Sequence, residues 1–214
     1  MASAHSAFAH QFDDARQQRE ASQLGIWLFL ATEILFFGVL FAAYAVTRIN
    51  HPAAFAAGSR LTNLPLASLN TAVLLTSSLT MALGVHAAQA GARRMTVNWL
   101  YATVALGLAF LAIKGIEYGI DFKENLVPGA GFGYDGPGRD QVQLYFYLYY
   151  LITMVHAIHV LIGVIAIAVI ARIASRGRYS AEYFTPVDVT GLYWHLVDII
   201  WLFVYPSLYL VSRS

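Results

Sequence analysis

Ionisable side chains lie within long apolar stretches of this sequence, where a charge is costly. A charged group in the hydrocarbon of a membrane costs roughly 2.5–3.5 kcal/mol on insertion scales, so such groups pair with one another or exchange protons. The candidates are Glu33, Lys114, Glu117, His156, His159, His195 and Asp198. Their types predict a buried polar network that serves proton exchange, hydrogen bonding between helices, or metal ligation.

Glu33 lies in the middle of the first apolar stretch, and no neighbour in the sequence offers a countercharge. Apolar surroundings favour the protonated form of a carboxyl group. One interpretation is a carboxyl group that exchanges protons or binds a lipid or another subunit. The other is a protonated glutamate that hydrogen-bonds a neighbouring helix for packing alone.

Lys114 and Glu117 are three residues apart, and this spacing places them on one face of a helix. We interpret them first as a self-neutralising pair that lowers the cost of insertion into the membrane. The alternative is a part of a polar path or of a contact with another subunit.

Two further pairs share the same spacing: His156 with His159, and His195 with Asp198. On facing helices they could hold zinc or non-haem iron. Carboxylate-bridged metal bundles, however, bring several glutamates and Glu-x-x-His motifs, which this sequence does not have in that form. Interhelical hydrogen bonding by histidine is therefore the favoured interpretation, and we predict no metal site.

The composition excludes a water-soluble domain. Of 214 residues, 58% are hydrophobic and only 12% are charged, whereas soluble domains carry about 25% charged residues. The sequence has no cysteine, which excludes disulfides, iron–sulfur clusters and thioether-linked haem. A net charge of +1 without a basic run gives no indication of nucleic-acid binding.

Five apolar segments, at about 24–46, 67–89, 97–119, 143–171 and 189–211, follow a polar N-terminal tail at 1–22. A helix needs about 20 apolar residues to cross the hydrocarbon core. The segments predict an all-α polytopic membrane protein, a bundle of five transmembrane helices forming one domain at 23–214.

Lysine and arginine counts predict the orientation, because cytoplasmic loops carry an excess of both. The tail and the connections after the second and fourth segments hold seven: Arg16, Arg19, Arg93, Arg94, Arg172, Arg176 and Arg178. The opposite side holds five: Arg48, Arg60, Lys123, Arg139 and Arg213. A cytoplasmic N-terminus and an external C-terminus are predicted.

Each segment also carries a specific string, in order ATEILFF (31–37), LNTAVLLTSSLT (69–80), KGIEY (114–118), TMVHAIHVLIG (153–163) and YWHLVDIIWLF (193–203). Together these strings resemble subunit III of the haem–copper oxidases, from about Gln23 to Leu210. Five ordered matches, one for each segment, are far more specific than any single motif.

The resemblance implies an accessory, cofactor-free subunit III of a respiratory cytochrome c or quinol oxidase in a bacterial inner membrane. It would support the assembly, stability and proton uptake of catalytic subunit I, which carries the haem and copper, and bind structural phospholipids. By position, Glu33 is similar to the family's carbodiimide-reactive glutamate. The resemblance implies that His156, His159, His195 and Asp198 make hydrogen bonds inside the bundle.

The sequence also departs from the family pattern. Longer members have seven helices and hold lipids in a cleft that their first two helices help to form, whereas this chain resembles a five-helix form. Lys114, where many oxidases have glutamine, and Pro206 favour a branch associated with nitric oxide reductases as an alternative.

Two alternatives come from other classes of protein. One is a b-type membrane cytochrome with axial ligands drawn from the histidines at 86, 156, 159 and 195. The other is a small proton transporter that uses Glu33, Lys114, Glu117 and Asp198. The sequence shows no inverted repeat and no pair of broken helices, which are the usual signs of a transport site.

Overall fold

The structure is a computed structural model, and it describes residues 15–210. The helices are α1 (Ala15–Asn50), α2 (Pro52–Leu61), α3 (Leu64–Gln89), α4 (Arg93–Lys123), α5 (Arg139–Ser175) and α6 (Thr185–Tyr205), and a π-helical turn follows at Pro206–Leu210. In this part of the chain, five helices are long and apolar enough to cross a membrane, namely α1, α3, α4, α5 and α6 with its π-turn. The predicted all-α bundle of five transmembrane helices is confirmed.

The helices extend beyond the apolar segments that predict them. The backbone hydrogen bonds of a helix continue past the hydrocarbon core, so charged residues occupy the terminal turns, as Arg93 and Lys123 do in α4. Of the predicted polar tail, residues 1–14 lie outside the described part of the chain, and α1 already begins at Ala15. The short helix α2, which starts with Pro52 in its first turn, was not predicted.

The bundle is built around α6. Helix α3 packs along α4, α4 packs along α5, and α6 contacts both α3 and α5. Within an apolar 18-residue stretch, 56% of the residues are buried in α6 but only 11% in α1. Helix α1 therefore lies at the edge of the bundle, where α6 is its main partner.

The indole ring of Trp194 on α6 packs closely against α4 and α5 at two glycines. A Cβ atom at Gly107 of α4 would lie 2.8 Å from this indole ring and 2.6 Å from Val164, and one at Gly163 of α5 would lie 2.8 Å from the ring. The indole N–H donates a hydrogen bond to Ser77 of α3 over 3.2 Å. Glycine at both positions is needed to admit the ring.

Pro206 ends the regular part of α6, because proline has no N–H to continue the helical hydrogen bonds. In the π-turn that follows, carbonyl groups accept side-chain hydrogen bonds from other helices. Tyr44 of α1 donates to the carbonyl of Ser207, and Tyr145 of α5 donates to that of Leu208 over 2.7 Å. We call this end of the bundle, with α2, the 124–138 loop and the π-turn, the α2 end.

Candidate functional site

Glu33 has a partner on a distant helix. Its Oε2 lies 2.8 Å from Nε2 of His159, in the middle of α5. Both side chains are 17% exposed, so the pair lies at the edge of the bundle. The rings of Phe36 and Phe37 lie 6.3 and 5.2 Å from the imidazole ring and shield it.

A contact of the other ring nitrogen of His159, Nδ1, determines which nitrogen carries a hydrogen. Nδ1 lies 2.8 Å from the carbonyl oxygen of Val155, and because a carbonyl can only accept, Nδ1 carries a hydrogen. A neutral imidazole must then accept at Nε2 from a protonated Glu33, whereas an imidazolium donates to the carboxylate. In each of these two forms one hydrogen lies between Oε2 of Glu33 and Nε2 of His159, and the pair is neutral overall.

Lys114 and Glu117 form a second, fully enclosed site. The Nζ of Lys114 lies 3.1 Å from Oε2 of Glu117, and their side chains are 2% and 0% exposed. Lys114 also donates to the hydroxyl groups of Tyr149 and Tyr209 over 3.0 and 2.6 Å. Both hydroxyl groups in turn donate to Oε1 of Glu117, over 2.8 Å from Tyr149 and 2.7 Å from Tyr209.

Aromatic rings surround the ammonium group of Lys114. Its Nζ lies within 4.7–5.9 Å of four ring centroids: those of Tyr118, Tyr149, Trp201 and Tyr209. This is the range of cation–π attraction, which is stronger where water is excluded. The rings come from α4, α5, α6 and the π-turn, so the ammonium joins four elements at one point.

Asp121, one turn beyond Glu117, completes this site, although sequence reasoning did not include it. It is 1% exposed, and its Oδ2 accepts hydrogen bonds from Tyr149 over 3.2 Å and from Tyr150 over 3.4 Å. Its spacing of four residues from Glu117 could have predicted this position, because residues four apart lie on the same face of a helix.

The remaining predicted residues do not join one cluster. Nδ1 of His195 lies 2.8 Å from the hydroxyl group of Ser78, and the Ser78 side chain also approaches Asp198. Neither carboxylate oxygen of Asp198 and neither ring nitrogen of His156 has a hydrogen-bond partner among the described residues. The His156 ring instead packs between Phe110 and Trp201, with centroids 5.7 and 5.1 Å away.

The described residues contain no group of three or more histidines and acidic residues arranged to hold a metal ion. Glu33 and the Val155 carbonyl engage the two nitrogens of His159, and Ser78 engages one nitrogen of His195. Of the histidines considered for haem ligation, His159 and His195 thus make separate contacts.

An apolar groove runs between α1 and α6. It holds about 510 Å³, and its lining includes Trp27, Phe37, Leu196 and Phe203. Phe203 also lines a second recess of about 600 Å³ toward the α2 end, together with Arg48. The groove is therefore apolar in its middle and adjoins the guanidinium group of Arg48 toward the α2 end.

The fold and these sites define a polytopic membrane protein with polar networks enclosed in its bundle. A family model described as cytochrome c oxidase subunit III matches residues 6–213, and the chain belongs to this family. It is an accessory subunit of a haem–copper oxidase complex, and subunit III of that family generally carries no cofactor of its own.

Relatives match over nearly their whole length. The chain is 32% identical to the cytochrome bo(3) ubiquinol oxidase subunit 3 of Pseudomonas aeruginosa, over 99% of this chain and 95% of that protein. It is 32% identical to the cytochrome c oxidase subunit 3 of Thermostichus vulcanus, over 94% and 92%. It is 26% identical to the probable quinol oxidase subunit 3 of Staphylococcus haemolyticus, over 94% of each.

Proposed function

We propose that this accessory subunit packs against catalytic subunit I of a bacterial inner-membrane oxidase and supports its assembly, stability and proton uptake. The observation that carries the proposal is the Glu33–His159 pair, which holds one transferable proton at the edge of the bundle. A proton held there is available to a neighbouring subunit, whereas one held in the bundle core is not. Haem and copper belong to the partner.

Glu33 is the proton-exchanging member of the pair, and His159 is the residue that positions it. The Val155 carbonyl holds the His159 tautomer, and the hydroxyl group of Tyr193 donates to the backbone carbonyl of His159 over 3.0 Å. With the ring fixed, one proton moves along a 2.8 Å hydrogen bond. The net charge of the pair does not change when it moves, because the imidazolium and the carboxylate that form offset each other.

Structural phospholipid belongs to the same proposal. The groove between α1 and α6 is apolar along its middle and meets Arg48 in the adjoining recess. Acyl chains suit the apolar part, and an anionic headgroup suits the guanidinium. The excess of arginine on the opposite end of the bundle supports a cytoplasmic N-terminus, so that the α2 end is external.

One observation favours the alternative branch that is associated with nitric oxide reductases. Lys114 and the turn that begins at Pro206 belong to one hydrogen-bond network through Tyr209. The two proposals predict different partners and different substrates of the purified complex. Isolation of the tagged chain in mild detergent, with an optical spectrum of the eluate, distinguishes them. We expect haem to co-purify with a larger subunit and to be lost when that subunit is removed.

The test of Glu33 is Glu33→Gln in the intact complex. Glutamine keeps the size and can donate a hydrogen bond to Nε2, but it holds no transferable proton. We expect proton uptake and turnover to fall while haem content and the recovered amount of complex stay unchanged. Unchanged turnover, proton uptake and assembly would show that the pair serves packing alone.

A matched control is Gln143→Glu, which adds a carboxyl group at the α2 end instead of removing one. We expect this variant to turn over like the wild type, because Gln143 is not part of the Glu33–His159 pair and its side chain makes only a long hydrogen bond, 3.4 Å, to the carbonyl of Gly129 among the described residues. A similar loss in both variants would attribute the effect to a general change in charge.

A further inference from the structure

A second centre of ionisable groups lies at the α2 end, away from the Glu33–His159 pair. It consists of Lys114, Glu117 and Asp121, which are 2%, 0% and 1% exposed. One ammonium faces two carboxyl groups, so the centre carries one excess negative charge when all three are ionised. Lys114 is paired with Glu117, and no described side chain forms a salt bridge with Asp121.

Asp121 borders an open recess. It lines an open recess of about 270 Å³ between the α2–α3 connection and the end of α4, together with the polar side chains of Thr62, Asn63 and Glu124. Since a water molecule takes up about 30 Å³ of the liquid, this recess has room for several. Asp121 thus lies between this recess at the α2 end and the enclosed Lys114–Glu117 pair.

Tyr149 links the two carboxyl groups. Its hydroxyl oxygen lies 2.8 Å from Oε1 of Glu117 and 3.2 Å from Oδ2 of Asp121, and it accepts from Lys114 over 3.0 Å. A hydroxyl group has one hydrogen and donates fully to one acceptor at a time. The charge on Asp121 therefore decides which carboxyl group receives the hydrogen of Tyr149.

We propose that Asp121 is a proton-binding group that exchanges its proton with water in the recess at the α2 end. On binding, a hydronium ion gives its proton to the Asp121 carboxylate and becomes water, and the centre changes from one negative charge to neutral. The hydrogen of Tyr149 then turns to Glu117. This proposal does not depend on the role of Glu33, because the two sites share no residue.

Other groups near the centre set its electrostatic surroundings. They are Tyr118 and Glu124 on α4, Tyr145, Tyr149, Tyr150 and His156 on α5, and Tyr209 on the π-turn. From the α2–α3 connection come Thr62 and Asn63, which do not titrate. The carboxyl group of Glu124 lies at the recess, so its removal serves as a control for surface charge.

The experiment is infrared difference spectroscopy of the full chain, uniformly oriented in sealed proteoliposomes, while one compartment is acidified. We expect the carbonyl stretch of a protonated carboxylic acid to follow the pH of the compartment that bathes the α2 end. The band should persist in Glu33→Gln and Glu124→Gln and be lost in Asp121→Asn. Absence of the band at every pH, its persistence in Asp121→Asn, or a response to the opposite compartment would overturn the proposal.

Two further measurements keep the test decisive if Asp121→Asn fails to fold. Carbon-13 labelling of aspartate in the wild-type chain should shift the band, and Asp198→Asn should leave it in place. Once the Tyr149 hydrogen has turned to Glu117, the O–H of protonated Asp121 can donate to the Tyr149 oxygen, 3.2 Å away. Tyr149→Phe removes this acceptor and should move the band to higher frequency, whereas Tyr118→Phe should not, because the Tyr118 hydroxyl group bonds Thr153. A band that is equally unmoved in both tyrosine variants would overturn the link through Tyr149.

Discussion

The Oε2 atom of Glu33 and the Nε2 atom of His159 lie 2.8 Å apart although 126 residues separate them in the chain. This contact joins α1, the helix at the edge of the bundle, to the middle of α5. Together with the hydrogen bond from Tyr44 to the carbonyl of Ser207, it fixes both the depth and the rotation of α1.

Removing both members of this pair should cost less than the sum of the two single removals. We expect Glu33→Ala to lower the free energy of unfolding by about 1–3 kcal/mol, because it leaves a partly buried hydrogen-bonding group of His159 unsatisfied. Thermal unfolding in detergent, followed by circular dichroism, measures the change. In a double-mutant cycle, Glu33→Ala with His159→Ala should be less destabilising than the sum of the two single changes; strict additivity would contradict the contact.

Lys114 should be the most sensitive charge in the bundle. Lys114→Met leaves the carboxylate of Glu117 enclosed without a countercharge, and breaking a buried pair from one side costs about 3–5 kcal/mol. We expect low recovery of the folded protein, measured by size-exclusion chromatography. The double change Lys114→Met with Glu117→Leu should restore recovery in large part.

The matched control for this prediction is Lys123→Met at the exposed end of the same helix. It removes the same charge from α4 without separating a buried pair, so recovery should equal that of the wild type. Equal losses at both positions would show that the total charge of α4, and not the enclosed pair, determines the outcome.

Glycine in α4 should matter only where another helix comes close. Gly107→Ala places a methyl group 2.6 Å from Val164 and 2.8 Å from Trp194, and overpacking of this kind costs about 1–3 kcal/mol. Gly115→Ala on the same helix meets nothing within 4 Å and should leave the unfolding temperature unchanged or higher. A Gly107→Ala protein as stable as the wild type would show that Trp194 can move aside.

Arg48 should select the headgroup of a lipid bound between α1 and α6. Native mass spectrometry of the purified chain in mixed micelles is expected to show retained anionic phospholipid. Arg48→Gln should reduce the ratio of retained anionic to zwitterionic lipid several-fold, whereas Arg60→Gln, on α2, should not. An unchanged ratio in Arg48→Gln would place the lipid elsewhere on the surface.

The absence of cysteine makes the predicted orientation simple to measure. Ala181→Cys and Ala130→Cys each place one thiol in an exposed loop, at opposite ends of the bundle. In intact cells stripped of their outer membrane, an impermeant maleimide should label only Ala130→Cys, because the α2 end is predicted to be external. Labelling of only Ala181→Cys would invert the orientation.

The helices and the ionisable positions were predictable from the sequence, but most of their partners were not. Apolar runs near 20 residues mark membrane-spanning helices directly, and Lys114 and Glu117 are neighbours on one helix face. The contact between Glu33 and His159 depends on how α1 is rotated against α5, which no local pattern encodes. Glu33 has no countercharge nearby in the sequence, but this is true only of its own helix, because its partner His159 lies on α5.

Residues at the ends of the apolar segments were the most difficult to interpret. Asp121 lies two residues beyond the predicted third segment at 97–119, yet α4 continues through Lys123 and buries it. Tyrosines typically lie at the membrane interface. There was therefore no reason in the sequence to expect Tyr149 and Tyr209 in the polar network. Helix α2 was missed because its ten residues are too few for a membrane-spanning pattern.

The peripheral position of α1 has a consequence for how the protein is assembled during synthesis. Among the described helices, α1 is translated first, but its main packing partner is α6, which is translated last. The partner of its Glu33 carboxyl group, His159 on α5, also arrives late. Helix α1 must therefore remain in the bilayer, or beside the insertion machinery, with Glu33 unpaired until the other helices have docked. Its final placement requires that the rest of the bundle has already formed.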